Sequence, residues 1–388
     1  MPQILPFSAI RYSHAGDLAA VTAPPYDVIS PHERDHLQSL DPKNFIHITL
    51  GGDYREDTTG GEKYQAAART FRDWLDHNVL AKDEQDAFWI YSTEYTIDGE
   101  ARTTSGLVAA LELEDWDEGE VLPHERTIKG PIVDRLNLTR AVQANLEPLW
   151  FFASKPLPGF KDFIAESTAE PPTAWAVDPD GVRHSIWRAV AEAVKPVQDL
   201  LSATPLIVAD GHHRYETAIA YRDEMRERSG PGPWDQTLAF IVDPVEYPPA
   251  LLPIHRLTTG VTLGAEHGIT EFEGSVESLY RTVQAAGPGT IGAASQQGLY
   301  LLPTTGPLDT RFLAESLLEP SGAEVIYEHD LLEIERAVEA GQTAFLMAAV
   351  PIGVVAAMAL EGERMPPKTT LFWPKPRSGF VMRDLLTP

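Results

Sequence analysis

The run Asp210-Gly211-His212-His213-Arg214 places a carboxylate, two imidazoles and a guanidinium around one glycine. It lies between the apolar segment Pro205–Ala209 and an amphipathic stretch from Tyr215 to Arg228, a pattern that reads as strand, turn, helix. The first backbone N–H groups of a helix have no intrahelical partners, and the helix dipole is positive there. Gly211 lets the chain turn sharply and approach a ligand with no Cβ in the way. With His212, His213 and Arg214 in the same turn, the run reads as an anion site suited to a nucleotide phosphate. Asp210 has three readings: a base for an acceptor hydroxyl, a Mg²⁺ ligand, or the helix N-cap.

Other segments carry candidate chemistry. Glu125, in His124-Glu125-Arg126-Thr127, is a second candidate catalytic carboxylate, and His124, Arg126 and Thr127 are candidate substrate contacts; the same four residues also read as a salt-bridged surface turn. Tyr26 and Asp27 follow Pro24-Pro25 on a loop stiffened by two fixed φ angles, where they either bind substrate or anchor the loop. Lys368 and Lys375 flank an aromatic strand in PPKTTLFWPKPRSG, the most basic stretch of the chain, and offer counter-charge to a phosphate. The HExxH match at His32 to His36 is discounted as a zinc site. Ser30-Pro31-His32-Glu33 reads as a helix start with a capping box, which puts His32 in the first turn. The GxGxxG match at Gly287 to Gly292 follows a helical stretch rather than a strand, so it reads as a loop. Neither a Walker A loop nor a GxSxG elbow occurs.

Composition narrows the chemistry. The chain has 388 residues, 43% hydrophobic and 23% charged, enough for a sizeable core and one or two domains. Its net charge of −26 repels a nucleic-acid backbone, so no nucleic-acid partner is expected. With no cysteine, thiolate catalysis, disulfides and zinc–thiolate sites are excluded. The N-terminus has no signal-peptide pattern, and Ala344 to Leu360 is broken by Pro351 and Gly353. That stretch reads as a buried strand followed by a helix, not a membrane span, and the expected location is the cytoplasm.

These residues need elements to position them. Phe88 to Leu113 reads as a hairpin turning at Asp98-Gly99. The acidic run Glu114 to Glu120 reads as a boundary, Ile132 to Leu146 and Ser185 to Leu201 as helices, and Leu149 to Phe152 and Thr237 to Val242 as strands. Helices and strands alternate irregularly, which predicts an α+β (mixed α/β) fold. The expected regions are 1–118 with the hairpin, 119–256 with the HERT and DGHHR motifs, and 257–388, an α/β extension that returns PPKTTLFWPKPRSG to the site.

DGHHR between a strand and a helix resembles the signature of the ParB/sulfiredoxin-like superfamily, which includes free-serine kinases. Over nearly its whole length the chain also resembles a prokaryotic family known as domain of unknown function 1015. The matching segments are APPYDVIS (Ala23 to Ser30), LPHERT (Leu122 to Thr127), ADGHHRYETA (Ala209 to Ala218) and PPKTTLFWPKPRSGFV (Pro366 to Val381). The superfamily resemblance implies a ParB/sulfiredoxin-like core. Sulfiredoxin chemistry needs a cysteine that is absent, and partition activity needs DNA, which the charge disfavours. Phosphoryl transfer survives both tests. The expectation is a phosphotransferase moving a phosphoryl group from ATP or ADP, with Mg²⁺, to a small hydroxylated metabolite, serine first. The rivals are a nucleotide-binding or nucleotide-hydrolysing regulator and a metal-dependent hydrolase.

Overall fold

The computed structural model describes residues 3–14, 16–51, 61–116, 119–127, 129–189, 191–261, 267–306 and 308–386. The chain is mixed α/β and divides into two compact units. The first comprises 1–123, 127–249 and 374–388; the second comprises 124–126 and 250–373. Residue 118, where the sequence places its first boundary, lies outside the described residues. The flanking strands explain why the first two expected regions form one unit. Glu100–Glu112 pairs antiparallel with Gln236–Val242, from Glu112↔Gln236 to Gly106↔Val242, so one sheet runs through both regions. The expected division after residue 256 falls inside the strand His255–Thr258.

A ten-stranded sheet is the frame of the first unit. Its central strands are Arg183–Arg188, Trp89–Ile97, Glu100–Glu112, Gln236–Val242, Leu149–Ala153 and Leu206–Asp210, in that order. The hairpin forms as the sequence predicts: Ile97 pairs with Glu100, and Asp98 and Gly99 take φ of 53° and 79°. One sheet face carries Ile90, Leu107, Phe151, Val208 and Ile241 against the helices Phe160–Ser167 and Ala191–Ser202 and the side chain of Tyr215. The opposite face carries Tyr91, Trp150 and Phe240. Phe380, from the C-terminal segment, packs edge-on to Tyr91 with ring centroids 5.7 Å apart. Both faces are covered, so these strands read as continuous apolar runs.

Two helix expectations change. Ser185 to Arg188 belongs to a strand paired with Trp89–Tyr91 and its neighbours, and the helix begins only at Ala191. The helix read from Ile132 spans Lys129–Val142; Gln143 then turns at φ 56°, and Ala144–Asn145 pairs with Met382–Asp384. In both places sheet pairing outweighs a helical pattern.

The second unit is built on a six-stranded sheet in the order Thr270–Phe272, Gly298–Pro303, Thr290–Ser295, Thr343–Leu346, His255–Thr258 and Val325–Glu328. The helices Val276–Ala286 and Leu331–Glu339 cover one face through Leu279, Val283 and Ile334. Thr343–Leu346 followed by Ile352–Leu360, with Pro351 as N-cap, is the strand and helix expected of the longest uncharged stretch. Among the described residues no helix is long and apolar enough to cross a membrane. Ser30 caps the helix Pro31–Leu40 with a capping box through Glu33, as its sequence predicts.

Phe240 is buried between Tyr91 and Trp150, with ring centroids 5.4 and 5.7 Å away. Truncation to alanine opens a cavity at the centre of the sheet. Phe240→Ala is expected to lose about 3–5 kcal/mol, read as a lower urea midpoint at unchanged slope.

Candidate functional site

The strand Leu206–Asp210 is buried until its last residue. Its register against Leu149–Ala153 shifts between Val208 and Asp210, so the last residue breaks the regular alternation. Gly211 follows with φ +101° and is the N-cap of the helix His212–Ser229. A Cβ there would stand 2.7 Å from Leu149 Cδ2 and 3.0 Å from Arg214 Nη2. Glycine is therefore required twice: for the left-handed turn and for the return of the Arg214 guanidinium over it.

The N-cap residue of this helix is Gly211, which corrects the reading of Asp210 as the N-cap. Two cations meet the Asp210 carboxylate. Lys375 Nζ donates to Asp210 Oδ1 at 2.7 Å, and Arg214 Nη2 donates to Oδ2 at 2.7 Å. Lys375 also donates to Asp27 Oδ2 at 2.6 Å. Arg214 Nη1 donates to the Pro148 carbonyl at 3.1 Å and lies 3.1 Å from Glu147 Oε1. Glu147 Oε2 accepts from the Ser378 hydroxyl, and Ser378 N donates to the Ala23 carbonyl at 2.8 Å. Four distant segments thus meet at the strand end: the Pro24-Pro25 loop, Glu147-Pro148, Asp210–Arg214 and Lys375–Ser378.

The Lys375 side chain is only 8% exposed. Burial works against its charge, but Asp210 and Asp27 outweigh it, and its pKa is raised. Arg214 follows the same logic, with burial opposed by Glu147 and Asp210. Both cations stay charged at any physiological pH. Burial, and next the charge of Asp27, pushes the Tyr26 phenol up to about 12; the Arg135 guanidinium lies 4.1 Å above its ring. Three carboxylates, Asp27, Asp210 and Glu147, thus face two cations, Lys375 and Arg214.

The first helical turn is also packed from the side. Trp116 stacks on Tyr215 at 4.4 Å and lies 6.4 Å from the ring of buried His212. Trp116 Nε1 and the Thr127 hydroxyl both donate to Glu216 Oε1, at 3.2 and 2.8 Å. His213 is half-buried, and its carbonyl accepts from Thr217. Tyr26, Asp27, Thr127, Asp210 to Arg214 and Lys375 all belong to the first unit.

His124, Glu125, Arg126 and Lys368 belong to the second unit. Glu125 bridges to Met365 and accepts from Thr369 N at 3.3 Å. His124 Nε2 meets Thr370 Oγ1 at 2.9 Å, and Lys368 takes a left-handed φ of 60° with its carbonyl on Arg256. Lys368 and Lys375, close in sequence, thus lie in different units. Among the described residues no group of three or more His, Asp or Glu side chains could hold a metal ion.

Glu147, Ser378 and Trp116 escape the sequence reading. Glu147 leaves one usable signal, a lone carboxylate inside the apolar run Leu146-Glu147-Pro148-Leu149-Trp150. Ser378 and Trp116 leave none, because their partners are distant in the chain.

A family model described as protein of unknown function (DUF1015) matches residues 4–317. No curated protein matches the chain. Among solved structures, a free serine kinase variant in complex with ADP aligns at 14% identity and a TM-score of 0.36, covering 67% of this chain and 89% of its own. A conserved hypothetical protein from Pyrococcus furiosus aligns at 15% identity and a TM-score of 0.35, covering 66% and 90%. C-terminally truncated SbnI from Staphylococcus aureus aligns at 11% identity and a TM-score of 0.35, covering 71% and 81%.

The segment that carries Lys375 and Ser378 is itself anchored by a buried relay. Arg377 N donates to Tyr91 Oη at 3.0 Å, Tyr91 Oη meets His184 Nδ1 at 2.8 Å, and His184 Nε2 lies 3.1 Å from Asp178. Burial lowers the His184 pKa from the ordinary 6.5 to about 4. The neutral ring then donates from Nε2 to Asp178 and accepts the Tyr91 hydroxyl proton at Nδ1. An unfolded chain takes up this proton near 6.5 and the folded one only near 4, so stability from His184 is complete above 6.5 and drains away as pH falls towards 4. Imidazole ¹⁵N shifts should show His184 neutral at pH 5. A midpoint near 6.5 would contradict the relay.

Proposed function

The chain belongs to the family described as protein of unknown function (DUF1015), and we propose that it is a nucleotide-dependent phosphotransferase whose phosphate end is the start of the helix His212–Ser229. One observation carries this reading. A helix that starts at a left-handed glycine stands beside two buried cations cross-braced by one carboxylate. Backbone N–H groups and the dipole attract an anion there, and Lys375 and Arg214 supply full charge. The resemblance of DGHHR to a superfamily that includes free-serine kinases supports the same reading.

The roles follow from charge and reach. Gly211, His212 and His213 present the helix start to the phosphates, and Arg214 and Lys375 hold charge beside it. Three carboxylates against two cations leave the cluster one charge negative before any phosphate arrives. A nucleotide therefore needs a divalent cation with it. Asp27 and Asp210, whose oxygens already converge on one ammonium, are hard oxygen donors of the kind Mg²⁺ takes. Mg²⁺ so held would supply charge neutralisation at the transferring phosphoryl group. In the transfer the acceptor oxygen bonds to the terminal phosphorus, the bridging P–O bond breaks, and the hydroxyl proton passes to Asp210. Tyr26 and Thr127 are assigned to the substrate. The acceptor class is a small hydroxylated metabolite, with free serine as the first compound to test.

Thermal unfolding with ATP, ADP and Mg²⁺ tests the site. Wild type should gain melting temperature with nucleotide, by linkage worth about 2.7 kcal/mol at a hundredfold excess over Kd. Lys375→Met should abolish the gain. It should also lower basal stability by about 3–5 kcal/mol, because Asp27 and Asp210 lose their shared cation. Asp210→Asn should cut transfer to the acceptor by at least about 100-fold. If wild type shows no nucleotide-dependent shift and no transfer to a broad panel of hydroxylated metabolites, the proposal fails.

A further inference from the structure

A half-open cavity of about 70 Å³ lies within the first unit, between the helices Lys129–Val142 and His212–Ser229 and the strands Ala144–Asn145 and Gln236–Val242. Its polar lining includes Arg135, Asn145, Glu147, Arg214 and Gln236. Both lining guanidiniums are paired, Arg214 with Glu147 and Asp210 and Arg135 with Asp134, so the charge left for a ligand has to come from behind the two amides.

The orientation of the two amides follows from their neighbour. Arg383 Nη2 donates to Gln236 Oε1 at 2.7 Å, and Arg383 Nη1 reaches Asn145 Oδ1 at 3.4 Å. A guanidinium only donates, so the atom that each amide turns to it must be oxygen. Both NH₂ groups therefore turn away from Arg383. The other acceptors of Arg383 are the Gln236 and Pro233 carbonyls, at 3.1 and 2.9 Å. All four are neutral oxygens, so its charge is not cancelled at contact distance and polarises both amides. Burial draws the Arg383 pKa down to about 10, which leaves it charged at neutral pH.

We infer that this cavity is a subsite for the carboxylate of a small organic acid, held by the amide N–H groups of Asn145 and Gln236 with Arg383 behind them. On this measure about 10–15 Å³ holds one water, so the cavity has room for a small carboxylic acid. Arg214 and Glu147 line this cavity and also belong to the Asp210 cluster. Naming the bound acid as the phosphoryl acceptor, a hydroxy acid or hydroxylated amino acid, rests on the phosphotransfer reading. Binding of the carboxylate does not.

Calorimetry on the full chain without nucleotide separates the two. The probes are glycolate, glycerate, lactate and serine, each against its carboxamide. The acids should bind, and the amides at least tenfold more weakly. Gln236→Glu is the informative variant: its carboxylate still accepts from Arg383, so the fold is kept, while the donor turned away from Arg383 becomes an acceptor. It should weaken acid binding about 10- to 100-fold, and Gln236→Met should do the same without adding charge. Equal affinity for acids and amides, unchanged acid binding in both variants, or no binding by any probe overturns the subsite. Loss of the nucleotide shift with acid binding intact would overturn phosphotransfer alone.

Discussion

Asp210 shares its two oxygens between Lys375 and Arg214, and the arrangement around the helix start depends on that division. Counter-charge at contact distance offsets the cost of burying an ammonium and a guanidinium. Asp27 and Glu147 complete it, one on each cation. The residue at the N-cap of the helix is Gly211, one position after the Asp210 carboxylate. Gly211 makes this geometry sterically open, since any side chain there would meet the returning guanidinium.

The sheet places these groups. Strands carrying Asp210 and Trp150 lie side by side, so the residues just beyond them, Gly211 and Pro148, emerge at neighbouring positions. The C-terminal segment closes over the opposite sheet face through Phe380. On its way it sets Lys375 against Asp210, and Ser378 against Glu147 and the Ala23 backbone. The Tyr91–His184–Asp178 relay pins the Arg377 amide from below. At Arg383 neutral carbonyl oxygens stand where carboxylates meet Lys375 and Arg214.

Legibility differed sharply between local and distant features. The Asp98-Gly99 turn, the Ser30 capping box, the Pro351 helix start and the strand–glycine–helix unit at 206–229 each depend on a few adjacent residues, and each forms as read. Misreadings arose where a strand partner came from afar. Ser185 to Arg188 carries helical spacing, but pairing with the hairpin outweighs it. The acidic run after Leu113 looks like a boundary by charge, yet Glu114 hydrogen-bonds with Tyr215, and Trp116 covers the first turn of the helix.

By itself the sequence determined the chemistry on offer: no thiol, a net charge of −26, a helix start after Gly211, and a basic segment near the C-terminus. These follow from residue identity and short-range backbone preference, which act within a turn or two. Only the tertiary structure decided which charges meet. Asp210 pairs with Lys375, 165 positions away by the numbering, and Glu147 and Ser378 became partners across 231 positions. Lys368 and Lys375, seven residues apart, were assigned to different units. Ion pairing has no sequence range of its own; a buried charge takes whichever counter-charge the packed sheet brings within reach.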